Sequence, residues 1–150
     1  MVIGLRAFPD GFAYVILDGT QKEPNVVQKD RLSLPRNQTW PASLSWVRKQ
    51  IAEVFEPHEI ESACIKITEP MARRKSAERY QIEAILQEYL HTMKSIDCTI
   101  RIKSQLRRDI KGFTDPARYI ERVLIRSDVL AELNTLEYQE ATLAAIAELP

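Results

Sequence analysis

Two apolar runs open the chain, VIGLRAF over 2–8 and FAYVILD over 12–18, with the turn-forming Pro9-Asp10-Gly11 between them. This pattern predicts two strands joined by a tight turn. A third strand is expected over 25–34, after the polar GTQKEP connection. From Ala42 to Phe55 the period changes. Leu44, Val47, Ile51 and Val54 fall three and four apart, giving a helix with one apolar stripe that Pro57 ends. SACIKIT over 62–68 is the next strand, and a helix from Ser76 to Met93 presents Ile82, Ile85, Leu86, Tyr89 and Met93.

CTIRI at 98–102 is a fifth strand, and the remainder is helical. A short helix covers Ser104 to Lys111 and stops at Gly112. Asp115-Pro116 supplies a capping carboxylate and a first-turn proline for a helix to Ile125. Ser127 to Leu133 forms a shorter one, and Thr135 caps a last helix to Glu148. Three meandering strands followed by strand–helix alternation imply an α/β fold. Its mixed five-stranded sheet has three antiparallel strands, then two parallel ones, flanked by helices.

At 150 residues the chain is expected to form one domain over 1–150, large enough to bury a core without disulfides or metals. It has no apolar stretch of membrane-spanning length and no basic start or cleavage site of a signal peptide. The two cysteines, Cys64 and Cys98, both lie in strand segments and read as reduced, buried thiols of a cytoplasmic protein. Net charge is zero, but it is unevenly spread. Residues 61–126 carry fourteen basic and nine acidic side chains, whereas 127–150 carry five acids and no base. Such a division marks either a nucleic-acid-facing surface with a separate acidic face, or two segments that neutralise each other in the fold.

Val2-Ile3-Gly4-Leu5-Arg6-Ala7-Phe8, Cys64-Ile65-Lys66 and Glu137-Tyr138-Gln139-Glu140-Ala141, placed in this element order, carry a resemblance. The chain resembles the ribonuclease H-like superfamily, in particular the RuvC-resolvase branch, over nearly its whole length. That resemblance implies two-metal phosphodiester hydrolysis on a carboxylate cluster. It also puts Arg6 where the family has its first catalytic aspartate and Lys66 where it has a strand-end glutamate. Glu137 and Glu140 keep the two acids of the last helix, and Arg107 or Arg108 matches a basic residue ahead of the penultimate helix. Glu69 is the other candidate for the strand glutamate, although Pro70 after it suggests a loop.

The substitutions bear on the chemistry. Two divalent ions about 4 Å apart need bridging carboxylates, and oxygen donors suit Mg²⁺. A fixed cation about 4 Å from a unit positive charge is repelled by about 4 kcal/mol at an effective dielectric of 20. The reading is therefore a catalytically inactive module acting in binding or scaffolding. Its pseudo-active site consists of Arg6, Lys66, Glu137 and Glu140 paired two to two, with no cofactor and no metal. Arg6 snorkelling at a strand end, and the two glutamates as a solvated helix face, are the plainer alternatives. A divergent Mg²⁺ or Mn²⁺ nuclease using Glu69, Glu137, Glu140 and Asp18 is the alternative function.

Other chemistry finds no support. His58 and His91 stand apart with no ligand spacing around them, and neither glycine-rich phosphate motif is present. Basic residues remain. Arg73, Arg74 and Lys75 precede the long helix, and Arg101, Lys103, Arg107, Arg108 and Lys111 follow the fifth strand. Of these, Arg73, Arg74, Lys75, Arg107 and Arg108 are the candidates for a phosphate backbone. Few aromatics interleave with them, and the isoelectric point is near 6.7, so ordinary solvated surface is the competing reading. The expected partners are nucleic acid, a protein partner or a second copy, and no membrane.

Overall fold

The computed structural model describes residues 1–150, the Ser127 side chain excepted. Strands β1 (Val2–Phe8), β2 (Gly11–Gly19) and β3 (Pro24–Ser33) form the antiparallel meander. They are followed by helix α1 (Trp40–Phe55), β4 (Ser62–Lys66), α2 (Ala77–Thr92) and β5 (Asp97–Arg101). Four helices close the chain: α3 (Lys103–Asp109), α4 (Pro116–Val123), α5 (Ser127–Glu132) and α6 (Leu136–Ile146). The sheet order is β3-β2-β1-β4-β5, with β1 antiparallel to β2 and parallel to β4, and β4 parallel to β5.

Every residue of β1 is buried because both faces of the sheet's centre are covered, which is why its sequence is a run and not an alternation. Ile3, Leu5 and Ala7 point into the core formed with α1 and α2. Val2 packs on the other face with α3, α4 and α6. The edge strand β3 is instead mostly half-exposed or exposed.

Gly4 decides how closely the last helix approaches. A Cβ at Gly4 would lie 1.9 Å from the Ala141 carbonyl oxygen and 2.4 Å from the Ala145 amide nitrogen, so only glycine lets α6 rest on β1. Ala141, Ala144 and Ala145 are the matching small side chains, all fully buried. Asp115 and Thr135 cap α4 and α6 by accepting from the Arg118 and Tyr138 amides.

Several element boundaries differ from the sequence reading. β4 stops at Lys66, so Ile67 and Thr68 belong to the loop. β3 spans Pro24–Ser33 and α3 spans Lys103–Asp109, each displaced by a residue or two. The cysteines lie on opposite faces, since Cys64 is level with Thr99 and Cys98 with Ala63 across the β4–β5 pair. Cys64 is buried, but Cys98 is only half-buried, correcting the expectation for that thiol. Burial raises the Cys64 thiol and pushes that of Cys98 up to about 11, which keeps both protonated near neutrality. No helix among the described residues is long and apolar enough to cross a membrane.

Candidate functional site

Gly4 and Cys64 are level across the parallel pair of β1 and β4. Side chains alternate, so Arg6 and Lys66, two residues further along each strand, share the α6 face near the strands' C-terminal ends. Both are buried, Arg6 to 5% and Lys66 to 1% exposure. Ions this deep require compensation. The Arg6 Nε lies 2.5 Å from Glu140 Oε2, and its Nη1 donates to the Lys66 carbonyl at 2.7 Å and to Glu83 Oε1 at 3.4 Å. Lys66 Nζ donates to Glu69 Oε1 at 2.7 Å and to the Ile67 carbonyl at 2.8 Å, and stands 3.8 Å from Glu140 Oε1.

Glu83 was not anticipated. It comes from α2, across the sheet from α6, and is only 3% exposed. Its Oε1 accepts from the Thr68 amide at 2.8 Å and the Thr68 hydroxyl at 2.7 Å, with Arg79 Nε at 3.6 Å. Burial pushes this carboxyl above its ordinary value, against the Thr68 bonds and the Arg6 charge. Glu69 goes the other way. Partial burial disfavours its charge, but hydrogen bonds from Lys66 and the Lys103 amide, with the Lys66 and Arg6 charges, outweigh it and hold the carboxyl low. A sequence signal for Glu83 existed: it lies three residues before Leu86 and seven before Leu90, on the buried stripe of α2.

The cluster is therefore Arg6, Lys66 and Arg79 against Glu69, Glu83 and Glu140, three cations to three carboxylates. This corrects the two-to-two arrangement with Glu137. That side chain is half-exposed and has no ion pair among the described residues. It lies in the first turn of α6, about 4.5 Å further along the helix axis than Glu140, beyond the reach of Arg6. Asp18 is also excluded from this place. Arg6 is level with Ala13, and Asp18 is five residues down β2, about 17 Å toward the other end of the sheet. Glu69 lies in the loop after β4, as Pro70 suggested.

A second buried carboxylate secures the far end of α6. Glu148 accepts from the Thr99 hydroxyl at 2.6 Å and is also bonded by Ser62 and Arg101. Arg101 Nε also reaches Asp109 at 2.8 Å. Arg101, named in the sequence among the basic residues after β5, is thus internally neutralised. Glu140 and Glu148 of the acidic tail pair with Lys66 and Arg101 of the basic middle, so these charges cancel within the fold.

The other basic candidates are exposed. Arg73, Arg74 and Lys75 lie in the loop joining β4 to α2, which leaves the sheet at the same end as Arg6. Arg107 is exposed beside the Phe113 ring, and Arg108 donates to Asp109 at 2.8 Å.

No family profile matches the sequence, and no curated protein does. Solved structures do match. Thermus thermophilus RuvC, solved in complex with a Holliday junction substrate, superposes with a TM-score of 0.75 at 10% identity, covering 97% of this chain and 90% of that one. The fold is that of RuvC. The yeast mitochondrial Holliday junction resolvase gives a TM-score of 0.69 at 9% identity, covering 97% and 76%. The fowlpox virus resolvase with Holliday junction DNA gives 0.62 at 7%, covering 99% and 98%. The ribonuclease H-like architecture read from the sequence thus holds for the chain, including its three antiparallel and two parallel strands.

The RuvC fold implies divalent metal, and the side chains present do not fit it. Magnesium takes oxygen donors at about 2.1 Å, whereas Glu140 Oε2 is directed at a guanidinium and Glu69 Oε1 at an ammonium. Among the described residues no three of His, Cys, Asp and Glu gather as a metal-binding group. A divalent ion about 4 Å from either cation would meet about 8 kcal/mol of repulsion at an effective dielectric of 20, twice the unit-charge figure.

Proposed function

We propose that this chain is a RuvC-fold binding module, one domain over 1–150, whose catalytic pocket is filled by side-chain cations and performs no metal-dependent cleavage. The observation that carries this reading is the Arg6–Glu140 contact at 2.5 Å, with Lys66 buried beside it. The pseudo-active site comprises Arg6, Lys66 and Glu140, with Glu69 and Glu83 completing its charge.

The proposed ligand is nucleic acid, held by its phosphates at the C-terminal end of the sheet. Arg73, Arg74 and Lys75 are exposed there, and Arg107 and Arg108 would extend the track. Two of the structurally similar resolvases were solved with Holliday junction DNA. Recognition of this kind follows backbone charge and shape, so it is salt-dependent and weakly sequence-selective.

Two measurements test the reading. Thermal melts with and without Mn²⁺ should coincide, because only a ligand bound to the native state raises its midpoint. A four-way junction incubated with the protein and Mn²⁺ should stay intact. A metal-dependent rise of several degrees, or cleavage, overturns the inactive reading. Gel shifts of four-way, duplex and single-stranded DNA over a salt series should show binding that the triple change Arg73→Glu, Arg74→Glu, Lys75→Glu abolishes. No shift at low salt retires the nucleic-acid assignment.

A further inference from the structure

The β2–β3 turn and the segment from α4 into α5 enclose a groove that no residue of the Arg6 pocket lines. One part is aliphatic, with Pro24, Val26, Leu124, Ile125 and Val129 in its wall. The adjoining part is bordered by Lys22, Lys111 and Arg122, with Asp109 among its lining residues. Lys22, Arg122 and Val123 line both, so the two parts form one continuous trough.

The charges of this trough are unevenly matched. Asp109 already pairs with Arg101 and Arg108, and Arg126 pairs with Asp128. Lys22, Lys111 and Arg122 have no carboxylate partner among the described residues, and Glu23 is the acid left on the rim. Arg122 is also held in place: its guanidinium stands 5.0 Å from the Tyr119 ring and donates to the Gly112 carbonyl at 3.2 Å. Next to these cations Ile125 is 88% exposed, between the buried Leu124 and the start of α5.

We infer that this trough binds an acidic peptide segment carrying aliphatic anchors, contributed by a protein partner. Charge complementarity selects the carboxylates. The aliphatic wall selects the peptide over nucleic acid, because bases bind through stacking on exposed aromatic faces, and Tyr119 is buried under Arg122. A contiguous apolar wall rimmed by charged residues, as Pro24, Val26, Leu124, Ile125 and Val129 form here, is the composition of an interaction surface. The inference is independent of the pocket around Arg6, because the two share no residue.

The test is fluorescence anisotropy with the full chain and a set of labelled eight-residue peptides in which Glu or Asp alternates with Leu, Ile or Val. Saturable binding in the micromolar range is expected. Ile125→Asp and Arg122→Glu should each weaken it at least tenfold, while the triple glutamate change at 73–75 leaves it unchanged. Ile125 is so exposed that its substitution spares the core. The inference is overturned if no peptide saturates. It is also overturned if all-acidic peptides or single-stranded DNA bind as tightly as the aliphatic ones, or if Ile125→Asp has no effect.

Discussion

Arg6→Met is the most direct perturbation of the pocket. The substitution keeps an unbranched side chain of similar reach and removes the guanidinium, leaving Glu140 and Glu83 without the cation that lies 2.5 and 3.4 Å from them. Removing one partner of a buried pair costs about 3–5 kcal/mol. Two features put this case at the low end. Glu140 retains Lys66 at 3.8 Å, and Glu83 retains both Thr68 bonds. A loss of about 3 kcal/mol follows, equivalent to about 6–12 °C in midpoint for a domain of this size. Urea unfolding followed by circular dichroism measures it, and the m-value should not change. Pairing Arg6→Met with Glu140→Gln in a double-mutant cycle should give a coupling of about 2 kcal/mol. Glu137→Gln should stay within about 0.5 kcal/mol of the parent. The reasoning fails if Arg6→Met unfolds within that same margin, because a guanidinium that can be removed so easily is not the counter-charge of the pocket.

Three further outcomes are expected. Gly4→Ala should destabilise by about 3 kcal/mol or prevent folding, since the added methyl meets the α6 backbone, which cannot yield as a flexible side chain would; soluble yield and thermal melting report it. Glu148→Ala should cost about 3 kcal/mol by leaving the half-buried Arg101 with Asp109 as its sole carboxylate, again read by urea unfolding. Glu83 should leave a trace in the pH dependence of stability. Its native pKa is raised, so the folded state holds the proton more tightly, and stability from this group is present below the ordinary value of 4.5 and lost as pH rises through the raised one. Glu83→Gln should remove that decline, so the variant loses less stability than the parent between pH 4.5 and neutrality; parallel slopes would refute the assignment.

The sheet was legible because its central strands are buried on both faces and therefore carry unbroken apolar runs. The antiparallel and then parallel character of the sheet followed from the meander and the later alternation with helices. Arg6, Lys66 and Glu140 were nameable because a strand end and a helix face bring them together at fixed positions. Glu83 was not, since a lone acid on an amphipathic helix reads as solvated unless its spacing to Leu86 and Leu90 is weighed. Its burial depends on Thr68, a loop residue that the sequence assigned to the strand. Glu137 shows the converse limit. A spacing of three puts two acids on one helix face but does not say how far the helix extends beyond the sheet. The groove beside Ile125 arises between segments about a hundred residues apart, which no local pattern discloses.

Side-chain cations also account for the buried acids at the C-terminal end of the chain. Glu140 lies on the part of α6 that rests on Gly4, and Glu148 lies in the turn just past the helix. Each is mostly buried, and a buried carboxylate must be compensated. In a two-metal enzyme divalent ions supply that compensation at the catalytic end. Here Arg6 and Lys66 supply it from the strands, and Arg101 does the same at the other end. The anchoring of α6 thus comes from side chains of the chain itself. Changing either cation or Glu140 alone weakens the compensation of the groups that remain, Glu140 keeping Lys66 and Arg6 keeping Glu83. Building a divalent-ion site here accordingly calls for Arg6→Asp and Lys66→Glu together. The single change Arg6→Asp should weaken the fold by crowding acids around Glu140, and Mn²⁺ should raise the melting midpoint of the double variant but not of the parent. A double variant whose midpoint ignores Mn²⁺ would show that the remaining carboxylates do not converge on a common centre.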